Sequence, residues 1–281
     1  MFGRETRPQR SRVTVADNSG SMTNTTATPL SLAARLRGTP ATRPPRDILS
    51  APGLRAQLDD VVASRGLHPR APLTLRSGTL HSNTVALESS PMARLRGLLV
   101  TTALTLLVHE QPFDDAFEDA MSAWCSNQAD VSLLSAFAAA DADVQARLRA
   151  DVRSHISVLR DHLGTFASSW RPQTAVRTQV LLSGGALILR DDIDLMVGSV
   201  ADPHAALSLL DITTAPLGER AERTLRYHAL VQTLRSGVVP LRVAMFSTTT
   251  ADCLVREVDA VVLQRAVGDL ATHLSTTAVA A

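Results

Sequence analysis

Apolar residues fall along this chain in three textures, and each predicts a different kind of structure. Residues 1 to about 52 show little apolar periodicity and are rich in Arg, Ser, Thr and Pro, a composition that predicts a disordered tail. From about 92 the apolar positions come in runs and at spacings of three and four. Helices are therefore expected over 92–110 and 113–126, separated by Gln111-Pro112, where proline suits a helix start. The clearest period belongs to Val144, Leu148, Val152, Ile156, Leu159, Leu163 and Phe166, the stripe of one long helix with a single buried face.

Beyond about 171 the period shortens from helical to extended. Residues 177–182 and 186–190 read as antiparallel strands flanking the glycine turn Ser183-Gly184-Gly185. Residues 193–198 and 207–212 read as two further strands, the second with the unbroken apolar character of a central one. A helix over about 218–236, a strand over 241–247 and a helix over 259–272 complete the series. The order predicts an α/β fold with a central mixed β-sheet flanked by helices and a helical N-terminal part. The expected organisation is a tail at 1–52 and a single domain at 53–281, with the helical part at about 92–170 and the core at about 171–281.

Composition changes this picture in two places. Of the 281 residues 28 are basic, and every one is arginine. Schiff-base chemistry, a P-loop of the G-x-x-x-x-G-K-[ST] type and a Ser-Lys nucleophile are thereby excluded, because each needs an amine and a guanidinium does not give up its proton. A formal net charge of +1 gives no whole-chain argument for a polyanionic partner, so any such surface must be local. Arg4, Arg7, Arg10 and Arg12 in the tail, and Arg147, Arg149, Arg153 and Arg160 on the long helix, offer phosphate contacts or ordinary solvated faces. The two cysteines, Cys125 and Cys253, have no zinc or disulfide spacing, which points to a reducing cytoplasm. The apolar run 98–108 is about half the ~20 residues of a membrane helix, so no membrane span is expected. His155 and His162 lie on the long helix without a third ligand at a helical spacing, which argues against a metal there.

One stretch carries more specific information. The Gly-Gly turn, then Arg190-Asp191-Asp192-Ile193-Asp194-Leu195-Met196-Val197-Gly198, then Leu209-Leu210-Asp211-Ile212-Thr213-Thr214, then Leu225-Arg226-Tyr227-His228-Ala229-Leu230, resembles the PD-(D/E)XK nuclease core in its RecB-like branch. The resemblance implies a restriction-endonuclease-like core in which Asp194 and Asp211, with sixteen residues between them, bind a divalent metal. Two carboxylates on adjacent strand ends can hold Mg²⁺ or Mn²⁺, and the metal then generates a hydroxide nucleophile for attack on a DNA phosphodiester. Where the superfamily carries lysine this chain has Thr213, which offers a hydroxyl but no charge. Arg190 or Arg226 is the substitute source of positive charge, and His228 can reach the site from its helix. The early helical histidine of the branch corresponds to Thr101, with His109 two turns later. The resemblance therefore implies a metal-dependent DNA nuclease, with Asp194, Asp211 and Thr213 in the catalytic positions. The alternative is a non-catalytic nuclease-fold subunit acting in nucleic-acid binding or protein interaction.

Overall fold

The computed structural model of the chain describes residues 30–37, 51–81, 90–128, 130–198 and 207–276. Six strands form one mixed sheet: β1 (Leu73–Arg76), β2 (Gln173–Leu182), β3 (Leu187–Val197), β4 (Ser208–Thr213), β5 (Arg242–Ser247) and β6 (Cys253–Glu257). The helices are α1 (Leu32–Arg37), α2 (Ala51–Ser64), α3 (Pro91–Val108), α4 (Ala116–Gln128), α5 (Val131–Ala138), α6 (Ala142–Leu163), α7 (Glu219–Ser236) and α8 (Ala260–Thr276). β2, β3 and β4 make an antiparallel meander; β5 runs parallel to β4 after α7, and β6 closes that edge antiparallel to β5. The mixed sheet flanked by helices agrees with the pattern read from the sequence.

The sheet separates two apolar cores. On one face Leu54 and Leu58 of α2, Leu225, Leu230 and Leu234 of α7, and Leu263 and Leu270 of α8 pack on Leu187, Leu189, Leu209 and Val243. On the other, α1 and α3–α6 pack on Leu195, Val197, Leu210, Ala244 and Phe246. The α6 stripe is buried as its period requires, apart from Val144, which is 39% exposed at the first turn. Helix starts obey local chemistry: the Ser90 hydroxyl accepts from Ala93 N with Pro91 following, and Asp130 caps α5 by accepting from Ser132 N. α3 is 18 residues long with a mean hydropathy of 1.3, and by length and composition alone it could cross a membrane. Here it supplies Leu95, Leu99, Val100, Ala103 and Leu104 to the second core.

Three differences from the sequence reading have physical causes. Residues 186–190 and 193–198 were expected as separate strands, yet they form the single strand β3, because Arg190 and Asp192 point to solvent while Asp191 is buried against a partner. Most of the expected tail lies outside the described residues. Within it, Leu32–Arg37 form α1, which buries Leu32, Ala33 and Leu36 and accepts a hydrogen bond at Leu36 O from the Ser208 hydroxyl. α2, β1, α5 and β6 were not anticipated; β1 has only four residues and owes its extended form to parallel pairing with β3, more than a hundred residues away in the chain.

Candidate functional site: a fork in the sheet

β3 has one edge fully occupied by β2 but shares its other edge between two strands. β1 pairs with it over Leu187 to Arg190 and β4 over Leu195 to Val197, so among the described residues none pairs with 191–194 on that side. The sheet forks there. Divergence between neighbouring strands is where an α/β sheet opens a crevice. Tyr227 of α7 pins the fork at its base, with its hydroxyl within hydrogen-bond distance of Leu75 O at 3.0 Å and Arg190 O at 2.9 Å. Burial holds the Tyr227 phenol far above its usual range, so it remains a donor.

Strand alternation alone would send Asp191 and Asp194 to opposite faces. It is interrupted. Across the β2–β3 ladder the pairing skips Ala175 opposite Asp194, and Ala175 has φ 51°. Apolar positions change faces at the same place: Leu189 and Ile193 belong to the α7 core, while Leu195 and Val197 belong to the other. The break lets Asp191 and Asp194 approach the same helix. Asp194 Oδ2 accepts from Ile212 N at 2.7 Å, capping a backbone donor of β4 where the ladder ends, and its carboxyl lies near enough to Asp211 for the two to shift each other's pKa. The two acids named from the sequence are therefore together.

His228 joins them from α7. Its Nδ1 lies 2.7 Å from Asp191 Oδ1 and its Nε2 lies 3.5 Å from Asp211 Oδ2, the latter an ion-pair separation long for a hydrogen bond. The imidazole and the Asp191 carboxyl are almost wholly buried, whereas the Asp211 carboxyl is 22% exposed. Among the described residues His228 Nε2 and Asp191 Oδ2 have no hydrogen-bond partner. Burial opposes charge on the ring, but Asp191 and Asp211 outweigh it and hold His228 well above its ordinary pKa. Burial raises the Asp191 pKa against the pull of His228. Asp194 is pushed well above the usual carboxylate range by burial and then by the charge of Asp211. Asp211 goes the other way: burial works against its charge, yet His228 and the Asp194 proton bring its pKa down.

A cleft of about 780 Å³ opens at the fork. Arg76 of β1, Arg177 of β2, Arg190, Asp191 and Asp194 of β3 and Thr101 of α3 are among the residues that line it. Asp192 sits at the mouth, 3.8 Å from Arg76 and 3.7 Å from Arg177. Arg190 is thus placed where positive charge was expected. Arg226 is not: both its Nε and its Nη2 lie 2.8 Å from Asp269 Oδ2, which clips α7 to α8 away from the fork. Thr213 ends β4 with its hydroxyl accepting from Ala215 N at 3.1 Å and its carbonyl accepting from Thr248 N at 2.9 Å, so its polar groups hold a turn. His109 lies 3.4 Å from the Thr174 hydroxyl on β2. His162 Nδ1–H donates to Val158 O at 2.8 Å, and its ring packs on Phe246.

Asp191, Tyr227, Arg76 and Arg177 were not singled out from the sequence as site residues. Asp191 and His228 carried a readable signal. Asp191 occupies the parity of Leu187, Leu189 and Ile193, and His228 the stripe of Ala221 and Leu225, so each is a polar residue in an apolar register on facing elements.

The Mg²⁺ or Mn²⁺ centre implied by the resemblance does not fit the residues present. Among the described residues no three His, Cys, Asp or Glu side chains are grouped to hold a metal ion. The Asp194 carboxyl accepts from Ile212 N, the His228 imidazole stands 3.5 Å from Asp211, and the Thr213 hydroxyl accepts from Ala215 N in its own turn.

No protein-family model matches the chain, and no curated protein matches it. Among solved structures it is similar to the crystal structure of SSO0001, with a TM-score of 0.28 and 10% sequence identity over 79% of this chain and 86% of that one.

Proposed function

We propose that this protein is a nucleic-acid-binding protein on a PD-(D/E)XK-like core that grips a phosphate backbone without hydrolysing it. The observation that carries the reading is the set of guanidinium groups at the fork. Arg76, Arg177 and Arg190 face one exposed carboxylate, Asp192, in a cleft within an otherwise charge-balanced chain. Guanidinium groups on separate strands present rigid donor forks suited to phosphate oxygens. Asp191 and Asp194 also line the cleft but are less exposed than Asp192, and His228 stands beside Asp191, so the charge that a ligand meets first is positive.

The chain order supports the nuclease-like part of the reading: α6, the antiparallel meander β2–β3–β4, then α7 and β5 parallel to β4, with Asp194 and Asp211 on adjacent strands. The loss of hydrolysis follows from the chemistry left at the centre. No lysine is available, the Thr213 hydroxyl carries no charge and accepts from Ala215 N, and the His228 imidazole stands between the Asp191 and Asp211 carboxyls. DNA is the partner class, and a reducing cytoplasm agrees with the unpaired thiols of Cys125 and Cys253.

Fluorescence polarisation with a labelled oligonucleotide, paired with a cleavage assay in Mg²⁺ and in Mn²⁺, tests the proposal. The expected result is salt-dependent binding that weakens when Arg177 and Arg190 are replaced by Ala, with the oligonucleotide intact. Cleavage in either metal that disappears in Asp194→Ala and Asp211→Ala would establish the metal-dependent nuclease instead. Absence of binding at low salt would end both readings.

A further inference from the structure

Strand register fixes which side chains share the outer face of β1, β3 and β2. Arg76 is opposite Arg190 in the parallel β1–β3 ladder, and Arg190 is opposite Gln179 in the antiparallel β2–β3 ladder, so the three stand in one row across the sheet. Asp192 and Arg177 form the next row, two residues along β3 and about 7 Å away. Arg76 Nη1 lies 3.8 Å from Asp192 Oδ2 and Arg177 Nε lies 3.7 Å from Asp192 Oδ1. Guanidinium groups from the two outer strands thus already converge on a single oxyanion. Arg190 rises from the strand between them, and all three arginines are exposed. Gln179 adds neutral amide donors beside Arg190.

We infer, resting on the nucleic-acid reading of the cleft, that it takes the terminal phosphate of a strand end, with Arg76, Arg177 and Arg190 on the phosphate oxygens. Counted over the exposed groups, three guanidinium ions face the one carboxylate of Asp192, which leaves two positive charges. A phosphodiester brings one negative charge and two free oxygens, whereas a terminal phosphate brings a charge of about −1.5 to −2 and three strong acceptors. Only the second matches both the charge and the donors of three guanidinium forks. The space agrees. The cleft of about 780 Å³ falls in the range that encloses one drug-sized ligand, so it can hold the last nucleotide of a strand and cannot admit a duplex. Leu98 of α3, 37% exposed, offers the terminal sugar and base an apolar surface. Asp194, Asp211 and His228 take no part.

The test uses the full chain and short single-stranded DNAs of one sequence, internally labelled, ending in a 5′-phosphate, in a 3′-phosphate or in hydroxyls alone, read by fluorescence polarisation. At least one phosphorylated strand is expected to bind wild type about tenfold more tightly than the hydroxyl-ended strand. In Arg190→Ala and in Arg177→Ala that preference is expected to shrink to about twofold or less. Equal binding of all the strands by wild type, a comparison that needs no variant to fold, overturns the inference and leaves backbone binding in place. Binding of none at low salt overturns both. A preference that survives intact in both arginine variants overturns the assignment of these residues. A nucleoside monophosphate that displaces the labelled strand as well as the phosphorylated strand does would replace the strand end with a free nucleotide and overturn it equally.

Discussion

Two charged constellations lie back to back on β3, and neighbouring residues of one strand serve different ones. Arg190 and Asp192 point to solvent and meet Arg76 and Arg177, groups that are more than half exposed where their ion pairs are measured. Asp191 between them points inward to His228 and Asp211 and has no exposed side-chain surface. The same three-residue run thus contains a pair worth little in stability and a group whose pairing the fold cannot do without. Exposed ion pairs contribute about 0–1 kcal/mol because water and salt screen them, whereas a buried charge that loses its partner costs about 3–5 kcal/mol. What the contrast teaches is that the outer set is free to serve a ligand because stability does not depend on it.

The sharpest way to break the contrast is Asp191→Ala. It strands the His228 ring beside Asp211 without its orienting carboxylate, and we expect a loss of about 3–5 kcal/mol in unfolding free energy. Urea denaturation followed by circular dichroism measures it. A loss below about 1 kcal/mol would place Asp191 among the screened surface charges and dissolve the distinction.

Alkaline pH reaches the same inner set without mutation. His228 has a folded pKa well above its ordinary 6.5, so its stabilising contribution is fully present below 6.5 and is lost as pH rises through the folded value. Asp194 and Asp191 have raised pKa values, so folding progressively loses the advantage of their neutral forms as pH climbs above 3.8. Asp211 has the opposite sign, with a contribution present above 3.8 and lost as pH falls through its lowered value. Stability should therefore decline on the alkaline side by up to about 1.4 kcal/mol per pH unit for one titrating group. In His228→Gln the part of that decline that begins at 6.5 should be lost, while the part owed to Asp194 and Asp191 remains. Denaturation midpoints in a pH series give the comparison, and an unchanged slope in the variant would contradict it.

How much of this was legible in the sequence follows the same division. The helices α3, α4, α6, α7 and α8 were visible in apolar spacing, and the Asp194–Asp211 pairing was visible because an acid at an apolar strand end is costly unless it is used. His228 was named as able to reach the site. The fork was not legible, because it depends on β1, four residues held by distant parallel pairing, and on the interruption at Ala175, which has no sequence signature. Arg226 illustrates the converse. From the sequence it was as good a phosphate ligand as Arg190, and only the approach of α8 commits it to Asp269. The α6 arginines were committed in the same way: Arg153 bonds Asp115 at 2.8 Å, and Arg149 lies over the rings of Phe117 and Phe137. Counting arginines in a chain says little until their partners are known.

Arg190→Ala addresses the outer set. It leaves every buried pair intact, so unfolding free energy should change by less than about 0.5 kcal/mol. Nucleic-acid affinity should fall severalfold, and the slope of log affinity against log salt should decrease by about 0.7–0.9, the share of one phosphate contact. Arg226→Ala is the matched control, with a stability cost from the lost α7–α8 clip and no change in salt slope. A loss of slope at Arg226 equal to that at Arg190 would mean that the cleft is not where phosphate binds.

The smallest effect belongs to Asp192→Asn, and it is the most discriminating for the division between the two faces. Asp192 is 60% exposed and lies 3.8 and 3.7 Å from Arg76 and Arg177, so its pairing is screened and its removal should shift stability by no more than a few tenths of a kcal/mol. Its negative charge also competes with a phosphate for the same two guanidinium groups. Neutralising it while preserving its shape should tighten nucleic-acid binding about two- to fivefold at low salt, an advantage that shrinks as the Debye length falls below ~10 Å. Polarisation titrations at two ionic strengths resolve a change of that size. Tighter binding without a change in stability is the signature of a carboxylate that gates a ligand surface. A weaker complex would mean instead that Asp192 holds Arg76 and Arg177 in the positions from which they bind.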